Sequence, residues 1–125
     1  MYALSVQQTF FAQHFLIGGD WGSENQPHTH EYRWEVILTG PNLDQHGYLV
    51  DIVDVEAHMQ KIVARFRDTC LNQHPEFADL NPSLERFAKI LWQQLKQQLT
   101  LPHETCLRVK LWENATCWAG YSQAY

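Results

Sequence analysis

The feature that most constrains this chain is an alternation. Every second residue from Tyr32 through Trp34, Val36 and Leu38 is apolar, and Pro27-His28-Thr29-His30 leads straight into the run. Such a pattern demands an extended strand with one buried face, because successive side chains of a strand point to opposite sides. The same period puts His28 and His30 on one side, one pleat apart. The strand is expected over about His30 to Thr39 and is broken by Gly40-Pro41-Asn42. An earlier run, residues 2 to 14, has Tyr2, Leu4, Val6, Phe10 and Ala12 on one parity, and His14 continues it. Alone, a histidine on an apolar face is more often a hydrogen-bonded core residue than a ligand. An isolated H-x-H pair is more often two partly exposed rings opening a strand. Three neutral imidazoles gathered on one point are different: with a fourth position open, they are the ligand set of a catalytic zinc site. The turn-rich stretch from Gly18 to Pro27 carries the chain from His14 to His28 as a loop.

Downstream, Gly47 opens a short extended piece, Tyr48 to Ile52. Asp54 is placed to cap a helix whose stripe is Val55, Met59, Ile62, Val63, Phe66 and Cys70, with His58 off the stripe and solvated. Residues 71 to 80 form a connection. Asn81 then caps a second helix with Pro82 at its first position and Leu84, Phe87, Ala88, Leu91, Trp92 and Leu95 as its stripe. Gln93, Gln94 and Gln97 form its wet face, and Leu101-Pro102 ends it. Leu107, Val109 and Leu111 alternate toward Glu113, and a turn near Asn114-Ala115 leads into a last strand, Cys117 to Gln123. The order β-β-α-α-β-β predicts an α+β fold, a four-stranded antiparallel sheet with two helices on one face. Its two open edges predict an oligomer.

At 125 residues the chain is read as one domain, 1–125. A net charge of -5 with scattered Lys and Arg leaves no electrostatic footprint for nucleic acid. No apolar run reaches membrane-spanning length, and Met1-Tyr2-Ala3-Leu4-Ser5 does not open a signal peptide. Cys70, Cys106 and Cys117, odd in number and far apart, are expected as reduced, buried thiols of a cytoplasmic protein.

Several segments, in order, resemble one known family. Phe10-x-Ala12-x-His14, His28-Thr29-His30, Leu38-Thr39-Gly40 with Gly47-Tyr48-Leu49-Val50-Asp51, Leu71-Asn72, Asn81 to Ala88, and Glu113 with Tyr121 downstream are similar to the 6-pyruvoyltetrahydropterin synthase / 6-carboxytetrahydropterin synthase family. The resemblance implies the tunnelling fold, with trimers closing their sheets into a barrel and two trimers stacking into a hexamer. It implies zinc on His14, His28 and His30, a pterin ring held by Glu113, and lyase chemistry on dihydroneopterin triphosphate or a close pterin. Zinc would polarise the substrate side chain while acid-base groups move its protons. A carboxylate facing the ring's amidine-like N–H groups makes a charge-assisted, bidentate contact.

The proton-transfer residues depart from the family pattern. Queuosine-pathway members place a catalytic Cys where this chain has Glu24, and Leu-Asp-His is replaced by Phe66-Arg67-Asp68. Thr29 stands where the family has Gly between the paired histidines. Some members with Glu in place of the Cys make 6-hydroxymethyl-dihydropterin, a folate precursor. The resemblance therefore implies Glu24 as base and Asp68 as a proton carrier, with Arg67 available to phosphate. Arg67 and Asp68 also read as exposed charges on a helix's last turn. Beside the enzyme stands a second reading, a non-catalytic pterin- or metal-binding homologue.

Overall fold

The computed structural model describes residues 1–123. Two 13-residue strands, β1 (Tyr2–His14) and β2 (His28–Gly40), form an antiparallel hairpin whose register runs from Tyr2↔Gly40 to His14↔His28. β3 (Cys106–Trp112) pairs with β2, and β4 (Trp118–Ser122) with β3, giving the sheet order β1-β2-β3-β4. Helices α1 (Ile52–Phe66) and α2 (Leu84–Gln98) cover one face, α1 against β1 and α2 against β3 and β4. This is the α+β arrangement expected from the strand and helix order.

Alternation decides which side is covered. Val6, Phe10, Ala12, Tyr32, Trp34, Val36, Leu38, Leu107, Val109 and Leu111 all point at the helices and join one core with Met59, Phe66, Phe87 and Leu91. Each large side chain so buried contributes about 1.5–3 kcal/mol. Trp92 Nε1 donates to Leu107 O at 2.8 Å and ties α2 to β3. Arg65 of α1 pairs with Glu76, which also accepts from Gln94 Nε2 of α2 at 2.8 Å. Gln94 is therefore half-buried rather than wet.

Other local expectations change too. Asp51, not Asp54, caps α1, its carboxylate accepting from Val53 N at 2.9 Å. Asp54 instead lies beside His58, which is half-buried. Tyr48 to Ile52 is not a strand: Asp44 accepts from His46 N and Tyr48 N and turns the loop on itself, and Ile52 already begins α1. α1 stops at Phe66, so Cys70 leaves its stripe and bridges to Gln13 beside β1. Ser83, not Asn81, caps α2, which starts at Leu84 and ends at Gln98, before Leu101-Pro102. β2 begins at His28, and short 3-10 turns occupy Gly22–Asn25, Leu71–Gln73 and Pro75–Phe77. None of the thiols is fully buried, and Cys117 is exposed.

Candidate functional site

The end of the β1–β2 hairpin gathers three imidazoles. His14 is the last residue of β1 and the cross-strand partner of His28, the first of β2; His30 lies one pleat on. Their ring centroids are 4.5, 4.8 and 5.0 Å apart, and one ring nitrogen from each lies within 4.8 Å of the others. His14 is buried, whereas His28 and His30 are half-buried, so the cluster opens toward solvent on one side.

Hydrogen bonds fix two of the rings. His28 Nδ1 lies 2.9 Å from Gln26 O, a carbonyl that can only accept, so Nδ1 carries the proton and Nε2 keeps its lone pair. His14 Nδ1 lies 3.0 Å from the Tyr32 hydroxyl. Burial first, then the neighbouring His30 and His28, lower the His14 pKa from 6.5 to about 4. A ring held neutral in this way remains a metal ligand at neutral pH. Three imidazoles so gathered suit a divalent cation that prefers nitrogen ligands, zinc among them.

The chain leaving His14 is clamped. Asn72 donates to Phe15 O at 2.9 Å and accepts from Phe15 N at 3.0 Å, while Asn81 Oδ1 accepts from Ile17 N at 2.7 Å. Glu24 O accepts from Leu16 N at 2.8 Å, bringing the 3-10 turn alongside this segment. The Glu24 side chain itself is exposed. Glu113 follows β3 on the parity of Leu107, Val109 and Leu111. Its charge, after burial, helps push the Tyr32 phenol pKa upward. It also borders a cavity of about 360 Å³ with Thr9, Glu31, Arg33, Trp112, Asn114 and Ala115. A second cavity, about 480 Å³ between Asp44 and Val53, has none of the candidate residues in its wall.

Asp68 is not part of this cluster. It lies beyond the α1 C-cap Arg67 with φ 57°, a left-handed conformation that aspartate tolerates better than most residues, and its side chain is exposed. Its N–H donates to Phe11 O at 2.7 Å. Phe11 precedes His14 by three residues, roughly 10 Å of strand. Arg67 is likewise exposed. Tyr32 was legible only as a core position of the alternation. Its place two residues beyond His30, on the same face, is the signal that would have singled it out.

A family model described as 6-pyruvoyl tetrahydropterin synthase matches residues 3–124. The chain belongs to that family. It is 27% identical to the 6-carboxy-5,6,7,8-tetrahydropterin synthase of Bacillus subtilis (strain 168), over 96% of this chain and 84% of that one. The fold matches Caenorhabditis elegans 6-pyruvoyl tetrahydropterin synthase with a TM-score of 0.86 at 21% identity, covering 98% of this chain and 96% of the other. It also matches a Plasmodium vivax 6-pyruvoyltetrahydropterin synthase with a catalytic glutamate changed to alanine. There the TM-score is 0.81 at 15% identity, over 99% of this chain and 98% of the other. Among the described residues no helix is long and apolar enough to cross a membrane.

Proposed function

We propose that this chain is a zinc-dependent pterin lyase of the 6-carboxytetrahydropterin synthase type, acting on dihydroneopterin triphosphate or a close pterin. The observation that carries the reading is the convergence of His14, His28 and His30 at the open end of the β1–β2 hairpin. The Bacillus subtilis relative supports the substrate class. A bound zinc ion supplies Lewis acidity to oxygens of the pterin side chain. Glu113 binds the ring's N–H groups through its carboxylate. Glu24, on the turn tied to Leu16, removes a proton from a side-chain hydroxyl. Asp68 and Arg67 stand some distance along β1, and in this reading they serve the site of a neighbouring subunit. The assembly is then a trimer or a dimer of trimers built on the open sheet edges, with each chain one domain over 1–125. The unpaired thiols fit the cytoplasm.

Glu24 favours a second outcome within the same site. The Plasmodium vivax structure removes a glutamate described as catalytic, in keeping with a carboxylate as the working base; 6-hydroxymethyl-dihydropterin as the product is what the resemblance implies for members with Glu at this place. A non-catalytic pterin- or metal-binding role is the remaining alternative, and the exposed Arg67 and Asp68 favour it.

Zinc-loaded protein incubated with dihydroneopterin triphosphate separates these readings by product mass. A 6-carboxytetrahydropterin product supports the first, and 6-hydroxymethyl-dihydropterin the second. Pterin binding without turnover rejects an enzyme. Glu24→Gln should abolish turnover and leave zinc content intact; unchanged turnover removes Glu24 from its role.

A further inference from the structure

A buried phenol touches the histidine trio from the core side. Tyr32 is 1% exposed, and its ring is held by Phe10 at 5.5 Å and, edge-on, by Phe87 at 5.2 Å. Packed this tightly, the ring cannot swing its oxygen elsewhere. The hydroxyl lies 3.0 Å from His14 Nδ1, its one hydrogen-bond partner among the described residues. A neutral imidazole carries a single N–H, and a phenol can either give or accept a hydrogen bond. When the phenol donates, the His14 proton sits on Nε2 and that nitrogen cannot ligate. When Nδ1–H donates to the phenol oxygen, the Nε2 lone pair is free.

We propose that Tyr32 is a positioning residue of the metal centre: its oxygen accepts the His14 Nδ1 proton and so presents the Nε2 lone pair to the cation shared with His28 and His30. This rests on the metal reading above. Gln26 O performs the same service for His28 from the loop, but a carbonyl permits only one tautomer. Tyr32 permits both. Cation binding therefore selects the tautomer with the proton on Nδ1: the Nε2 proton leaves to water at the open side of the cluster, Nδ1 takes one up, and the hydroxyl rotates to accept it with no movement of the ring. His14 is the most buried of the three, and its Nδ1 is the ring nitrogen hydrogen-bonded by the core-side hydroxyl.

The test compares zinc affinity, by competition with a chromophoric chelator at neutral pH, in wild type, Tyr32→Phe and Phe87→Leu. Tyr32→Phe keeps the ring and removes only the acceptor. Phe87→Leu loosens the same packing and keeps the hydroxyl. Removal of a hydrogen-bond partner behind a metal-ligating histidine typically costs about 10- to 100-fold in affinity, and that loss is expected for Tyr32→Phe alone. Nitrogen-15 imidazole spectra of the zinc-loaded proteins give a second readout. The His14 Nδ1 proton should be slow to exchange in wild type and exchange faster, without its acceptor, in Tyr32→Phe, while that of His28 is unchanged between the two. Equal affinity in wild type and Tyr32→Phe overturns the inference, as does an equal loss in Phe87→Leu. Failure of the wild type to bind zinc removes the metal reading itself, and this inference with it.

Discussion

His14 and His28 face each other directly across the β1–β2 ladder, with ring centroids 4.5 Å apart. Because side chains alternate with period two, a one-residue slip would send His14 to the opposite face and scatter the trio. Thirteen paired positions hold that register, and Phe10, Tyr32 and Trp34 are buried only in this one. The geometry of the centre is thus set by the hydrophobic pattern of the hairpin. Replacing His28 or His30 with Ala should abolish zinc binding, read by elemental analysis after dialysis. Thermal unfolding of the metal-free protein should change little, since both rings are only half-buried. Full zinc content in either variant would remove that residue from the ligand set.

Acidification should weaken the metal-free protein in a defined window. The folded His14 pKa is lowered to about 4 from 6.5, chiefly by burial. Above pH 6.5 neither the folded nor the unfolded chain holds a proton there. Between 6.5 and about 4 the unfolded chain takes up a proton that the folded one refuses, so stability falls as pH falls. Below about 4 both bind it, and the loss levels off. Urea midpoints should decline across this interval, and His14→Gln should decline less. Parallel profiles for the two proteins would show that His14 is not the group responsible.

Glu113→Gln keeps the shape of the side chain and removes its charge. A hydrogen bond to a charged group contributes about 1.5–3 kcal/mol, so pterin affinity should drop roughly 10- to 100-fold. Fluorescence titration with a pterin measures this, and zinc content serves as the control. An unchanged pterin affinity would reassign Glu113 to a strand-end charge.

The strands and the histidine trio were legible because both depend on period two. Parity alone put His14, His28 and His30 on one face, and the register confirmed it. The helix starts were not legible, because each offered two capping residues within three positions. Long-range contacts decided between them. Asn81 spends its carbonyl oxygen on Ile17 N, which leaves Ser83 to cap α2. Asp51 takes the Val53 N–H and Asp54 turns to His58. Tyr32 was hidden for a related reason: a tyrosine in an apolar alternation reads as packing until its hydroxyl has a partner.

Asn72 closes a two-bond clamp on Phe15, the residue after His14. Asn72→Ala leaves both backbone groups of Phe15 without their partner in a half-buried setting, at a cost of about 1–3 kcal/mol. Zinc affinity should fall along with the urea midpoint, because the clamped segment begins at His14, a ligand in the proposed centre. A lower midpoint with unaltered zinc affinity would separate the clamp from the metal centre.

The outer edge of β1 allows assembly to be tested without touching the core. Phe11 O accepts from Asp68 N and Gln13 N donates to Thr69 O, so odd-numbered residues of β1 turn their backbone groups away from β2. By the same period Ser5, Gln7 and Thr9 do so too, and among the described residues nothing bonds their backbone groups there. If subunits join through this edge, Gln7→Pro removes an intermolecular donor and spares every β1–β2 bond, since proline is tolerated where an edge strand's N–H points outward. Wild type should then sediment as a trimer or a dimer of trimers. Gln7→Pro should sediment as a folded monomer with an unchanged far-ultraviolet spectrum. A variant that still assembles would move the interface away from this edge, to β4 or to the helix-free face. A monomeric wild type would remove the assembly, and with it any role for Asp68 in a neighbour's site.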